Sequence, residues 1–150
     1  MRSVSRFLDT GRRHEVRGSD CRDGANGPNL SEPGQPQLDA LQDRLCYQFS
    51  DLTLLKRALT HRSAGRHHNE RLEFLGDAVI GLAAASAFYK RFSDADEGVL
   101  SRLRALVVSG HSLAAIARNK GLSSCLILGE SERKSGGRHR DSILADTLEA

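Results

Sequence analysis

The sequence predicts an all-α domain, and three observations carry that reading. Aliphatic residues recur at i, i+3, i+4 or i+7 in successive stretches after residue 37. Glycines and potential capping residues (Ser, Asp, Asn) separate those stretches. No two runs of alternating apolar and polar residues are joined by a hairpin turn. A chain of 150 residues is enough for one domain and a tail.

The tail comes first. Residues 1–37 contain all three prolines (Pro28, Pro33, Pro36), and their large apolar residues are confined to Val4, Phe7, Leu8, Val16 and Leu30. Such a segment buries too little surface to offset its ordering entropy, so residues 1–37 are expected to be a disordered extension and 38–150 the folded domain. No continuous apolar h-region marks a secretory signal, and Asp9, Glu15, Asp20 and Asp23 argue against a transit peptide.

The helices follow in order. Leu38, Leu41 and Leu45 mark a short amphipathic helix. In "SDLTLLKRALTH", Asp51 is a cap and Leu52, Leu55 and Leu59 form the stripe. After the break "AGRHHN", a long helix starts at Asn69, its expected N-cap, and ends near Phe92. "VLSRLRALVVS" carries Leu100, Leu103 and Val107 at helical spacing, and "GHSLAAIARNKG" is a helix bounded by Gly110 and Gly121. "LILGESERKSGGRHR" is expected to be a glycine-rich basic loop, and a last helix opens at Asp141 or Ser142. The nearly unbroken apolar run Ala78–Phe88 is too short to span a bilayer. Cys21, Cys46 and Cys125 form no C-x-x-C pair and are expected to be reduced thiols of a cytoplasmic protein. A formal net charge of +3 does not by itself announce a nucleic-acid partner.

The long helix poses the chemical question. At about 100° per residue, Glu70, Glu73 and Asp77 share a narrow stripe. Leu72, Leu75, Val79 and Leu82 lie beside it, and Phe74, Ala78, Gly81 and Ala85 form a second apolar stripe. A helix apolar on most faces is expected to be buried, and Gly76 and Gly81 to admit a second backbone. A solvated face explains Glu70, at the positive end of the helix, but explains Asp77 poorly. Burying an ionised carboxylate costs about as much as the whole margin of folding unless a cation compensates. Near the other end of the chain, Asp146 and Glu149 share a face at i, i+3. Two helices presenting such pairs can cage a hard cation, although acidic pairs are also frequent on ordinary helices.

The segment "NERLEFLGDAVIGL" resembles the signature of the ribonuclease III family. "LTHRSA", "DEGVLSRLRALVV", "GHSLAAIAR" and "LILGESERKSGGRHRDSILADTLEA" resemble further blocks of bacterial ribonuclease III, in the same order. The resemblance covers roughly residues 38–150. It implies a ribonuclease III endonuclease domain, a helical bundle around a long central signature helix. It also implies a Mg²⁺-dependent endoribonuclease, with Mn²⁺ able to substitute, that hydrolyses double-stranded RNA to 5′-phosphate and 3′-hydroxyl ends. Glu73, Asp77, Asp146 and Glu149 correspond to the family's metal-binding acids, with Asp77 and Glu149 at its catalytic positions. Glu70 and Glu97 match accessory acidic positions. Lys134, Arg138 and Arg140, in the best basic cluster, are candidates for RNA phosphates. The family acts as a homodimer on structured RNAs such as ribosomal precursors. No membrane partner and no small-molecule substrate is expected.

The resemblance stops at Ala150, where the family's chain usually continues through a further helix and a double-stranded-RNA-binding domain. A truncated chain is therefore expected, with Glu149 as its penultimate residue, and an inactive or weakly active fragment is one alternative to a cleaving enzyme. Two rivals are a non-catalytic RNA-binding or scaffold member, which the intact acid set opposes, and an all-α phosphohydrolase of small nucleotides. The latter needs His–Asp metal pairs that the helices lack.

Overall fold

A computed structural model describes residues 32–150. Seven α-helices occur among them: α1 (Gln35–Leu45), α2 (Leu52–Ala58), α3 (Glu70–Arg91), α4 (Glu97–Val107), α5 (Gly110–Asn119), α6 (Glu130–Lys134) and α7 (Asp141–Glu149). The expected disordered extension lies outside the described residues as far as position 31. α1 begins three residues before the expected boundary, with Pro36 in its first turn, where a missing N–H costs nothing. Asp51 caps α2 by accepting from the Thr53 N–H at 2.8 Å, and Asp96 and Ser109 cap α4 and α5 in the same way. The basic segment after Leu128 is more ordered than a loop: it forms α6 and a 3-10 turn at Gly137–His139.

The core is built from α1, α2, α5, α7 and the segment 122–128. Leu38, Leu41, Leu55, Leu59, Ala114, Ala117, Leu126, Ile143 and Leu144 are buried together in it. The alanines on α5 let α7 lie close against it. An isolated parallel bridge joins Thr60 to Ile127, closed by Ile127 N–H to Leu59 O (2.9 Å) and His61 N–H to Ile127 O (3.0 Å). It pins the connection that leads into α3. Gly129 packs on the backbone of Ser63 so closely that a Cβ would meet the Ser63 carbonyl carbon at 2.8 Å.

α3 overturns one expectation. It packs against α7 on one side and α4 on the other, yet none of its residues is buried. Phe74 is 82% exposed, Leu82 72% and Tyr89 75%. Apolar periodicity reports that a face avoids water; it does not say whether the cover comes from the same chain. Taken over its whole length, α3 is also long and apolar enough to cross a bilayer, which the run Ala78–Phe88 alone is not. Gly76 does admit a second backbone, that of Glu149, whereas a Cβ on Gly81 would meet nothing within 4 Å.

Candidate active site

The approach of α3 and α7 at Gly76 brings their acids together. One carboxylate oxygen from each of Glu73, Asp146 and Glu149 lies within 4.8 Å of the other two. Opposite donors of an octahedral shell at about 2.1 Å are roughly 4.2 Å apart, so a slight contraction would fit these oxygens around one hard cation. Asp77, expected to be buried, is exposed one turn along α3 and contributes no oxygen to this set.

The charges are held at a cost. Partial burial, then the charges of Asp77, Asp146 and Glu73, push the Glu149 carboxyl up to about 7. Burial and the Asp146 and Glu70 charges raise Glu73. Burial also raises Asp146, against the pull of His61 and Arg62. Each shift favours the protonated form because the carboxylates crowd one another as they leave water. A divalent cation would relieve both causes, and an all-oxygen donor set suits it.

Glu73 and Asp146 open into a cleft of about 570 Å³ lined by His61, Ser63, Asn69, Glu132, Arg140 and Ser142 among others. Glu70 also lines it, paired with Arg62 at 3.2 Å. His61 caps the turn at Arg62–Ala64 by accepting from the Ser63 N–H.

A Ribonuclease-III-like family model matches residues 51–150. Ribonuclease 3 of Psychromonas ingrahamii is 55% identical over 116 residues. The chain belongs to the ribonuclease III family. That alignment takes in 77% of this chain, which spans 51% of the relative's length. Two solved structures of the ribonuclease III nuclease domain from Campylobacter jejuni are 42% identical and cover 75% of this chain, with TM-scores of 0.74 and 0.72. This chain covers 79% and 77% of them, and the first is described by structural flexibility in a region involved in dimer formation.

Of the acids that the ribonuclease III resemblance singled out, Glu73, Asp146 and Glu149 converge, Glu70 stands in the adjoining cleft and Asp77 at the margin. Glu97 is elsewhere, in the groove between α3 and α4 with Leu82, Tyr89 and Arg104. The basic candidates all have partners within the chain. Lys134 pairs with Glu130 at 2.6 Å and Arg140 with Glu132 at 2.7 Å. Arg138 donates to the carbonyls of Ser123 (2.9 Å) and Ser124 (3.3 Å), bracing a turn. Of these three, only Arg140 lines the cleft. Sequence reasoning missed Glu132 and Ser142, whose place depends on how α6 and α7 fold back. It also read Asn69 only as a cap. Asn69 does stand at the N-cap, but in helical conformation (φ −81°, ψ −17°), and its side chain makes no capping bond.

Proposed function

We propose that this chain carries the nuclease domain of a divalent-cation-dependent endoribonuclease. It would hydrolyse phosphodiesters of double-stranded RNA to 5′-phosphate and 3′-hydroxyl ends, with ribosomal precursors among its substrates. The observation that supports this most is the convergence of Glu73, Asp146 and Glu149 from two helices. These three would hold Mg²⁺, or Mn²⁺ in its place, with Asp77 and Glu149 in the catalytic roles. The bound ion would neutralise the phosphodiester and acidify the attacking water. The protein's part is positional. Gly76 fixes the distance between the two helices, and Arg62 pairs with Glu70 at the cleft wall. The Glu149 carboxyl, pushed up to about 7 and so only partly ionised near neutral pH, must give up its remaining proton before it can act as a ligand.

The exposed face of α3 is best suited to a second copy of the chain. It carries Phe74, Leu75, Val79, Leu82 and Tyr89, more apolar surface than a monomer usually leaves to water. In such a homodimer Glu97, on the same groove, would act in an accessory role. The free thiols Cys46 and Cys125 are in keeping with a reducing, cytoplasmic setting.

The test uses end-labelled duplex RNA, with Mg²⁺ or with EDTA. Cleavage with Mg²⁺, abolished by EDTA, by Asp77→Asn and by Glu149→Ala, is the expected result. Cleavage that persists in EDTA would overturn the metal-dependent reading. Tight duplex binding without cleavage would instead favour a scaffold.

A further inference from the structure

Asn69 has no evident occupation in the folded chain. It is 1% exposed, and its side-chain Nδ2 finds no hydrogen-bond partner among the described residues. Its backbone is fully used: the N–H donates to Thr60 O at 2.9 Å, and the carbonyl accepts from Leu72 (2.7 Å) and Glu73 (3.0 Å). The residue is thus locked in place, and it is one of the residues that line the acidic cleft. Three buried side-chain polar atoms lack a hydrogen bond among the described residues, and all three belong to this neighbourhood. The other two have charged neighbours. Glu132 Oε1 is 2.7 Å from Arg140, and His68 Nδ1 is 3.7 Å from Glu70. Only the Asn69 donor has neither a hydrogen bond nor an ion-pair neighbour.

A fold gains nothing from an amide that has left water and found no acceptor. Capping does not explain it, because the helical φ and ψ of Asn69 do not place a side-chain oxygen over the N–H groups of the first turn. The missing acceptor must come from outside the chain, and the adjoining carboxylates define what can come. We propose that Asn69 is a positioning residue of the acidic centre: its NH₂ donates to an oxygen, of water or of phosphate, that enters the cleft with the cation. This rests on the metal-centre reading above. Outer donors of this kind hold the oxygens around an ion in a fixed orientation, and their removal weakens ion binding by roughly 10–100-fold.

The full chain, Asn69→Leu and Asn69→Ala are compared in two measurements. One is the melting temperature in EDTA. The other is Mn²⁺ affinity by titration calorimetry, with and without inorganic phosphate. Asn69→Leu is expected to keep the wild-type melting temperature, because no hydrogen bond is lost. Both variants are expected to bind Mn²⁺ at least roughly tenfold more weakly. A deficit with Mn²⁺ alone identifies the oxygen as water; one seen only with phosphate present identifies it as phosphate. Unchanged Mn²⁺ affinity under both conditions overturns the proposal, whatever happens to the melting temperature. A merely structural asparagine would give that pattern with a lower melting temperature. A wild-type chain that binds no Mn²⁺ removes the metal centre and this proposal together. Binding by the wild type and both variants alike removes this proposal alone.

Discussion

Gly76→Ala separates the needs of the site from the needs of the helix. In the interior of an isolated helix, the change would stabilise by about 1 kcal/mol. Here the new Cβ would lie 2.6 Å from the Glu149 carbonyl carbon, with the carbonyl oxygen nearer still. To relieve the contact with that oxygen the helices α3 and α7 would have to part by roughly 1.5 Å, at an overpacking cost of about 1–3 kcal/mol. The net loss of stability is therefore small, on the order of 0–2 kcal/mol, or at most several degrees in Tm. The site suffers more, because the displaced residue is itself one of the three converging acids. A misplacement of roughly 1 Å is enough to reduce a catalytic rate about 100-fold. Calorimetry in EDTA, Mn²⁺ titration and duplex cleavage would be run on the same preparation. The expected pattern is a modest fall in Tm with a large fall in both Mn²⁺ affinity and cleavage. Gly81→Ala, whose Cβ meets nothing within 4 Å, should leave Mn²⁺ affinity at the wild-type value. If Gly76→Ala retained wild-type Mn²⁺ affinity and cleavage, the close approach at Gly76 would not be what sets the site.

Other outcomes follow from the same geometry. Because the folded Glu149 carboxyl titrates near 7 and an unfolded one near 4.5, the native state binds more protons between those values. Stability without cation should therefore fall as pH rises from about 4.5 to 7, by on the order of 1 kcal/mol once solvent screening is allowed for. In denaturant melts in EDTA, stability that instead rose across this window would contradict the crowding of the acids. Mn²⁺ binding should strengthen as pH rises through 7 and release a proton, visible as a dependence of the calorimetric heat on buffer ionisation enthalpy. Glu149→Gln removes a repelled charge, so at pH 8 in EDTA it should melt slightly above wild type while losing Mn²⁺ binding. A lower Tm in EDTA would count against mutual repulsion. Leu82→Lys should shift the sedimentation behaviour of the chain towards a monomer without lowering the Tm of that monomer, since Leu82 is 72% exposed within the subunit. An unchanged sedimentation coefficient would show that the α3 face is not the contact between copies.

The legible parts of the fold were those governed by local chemistry. Asp51 could be read as a cap because an Asp before a run of leucines satisfies N–H groups two or three residues on. The pairing of Glu73 with Asp146 and Glu149 was legible because each helix shows its acids at one-turn spacing and leaves few apolar faces to accommodate them. Asn69 and Glu132 were not legible in this way. The sequence marks Asn69 as a helix start, but whether its amide caps the helix depends on φ and ψ, which the bridge between Thr60 and Ile127 helps to fix. Glu132 reaches the cleft only because α6 folds back against the turns at Arg62–Ala64 and Gly137–His139.

By itself the sequence determined the all-α class, the order of every helix but α6, and the presence of acidic pairs on two of them, because periodicity, caps and residue chemistry are local properties. The tertiary structure alone decided which of those acids meet, since the separation of α3 and α7 depends on two backbones packing at a single glycine. It also decided that the most apolar helix lies on the surface. Hydrophobicity fixes what a face must avoid, and only the packing of the rest of the chain determines whether anything is left to cover it.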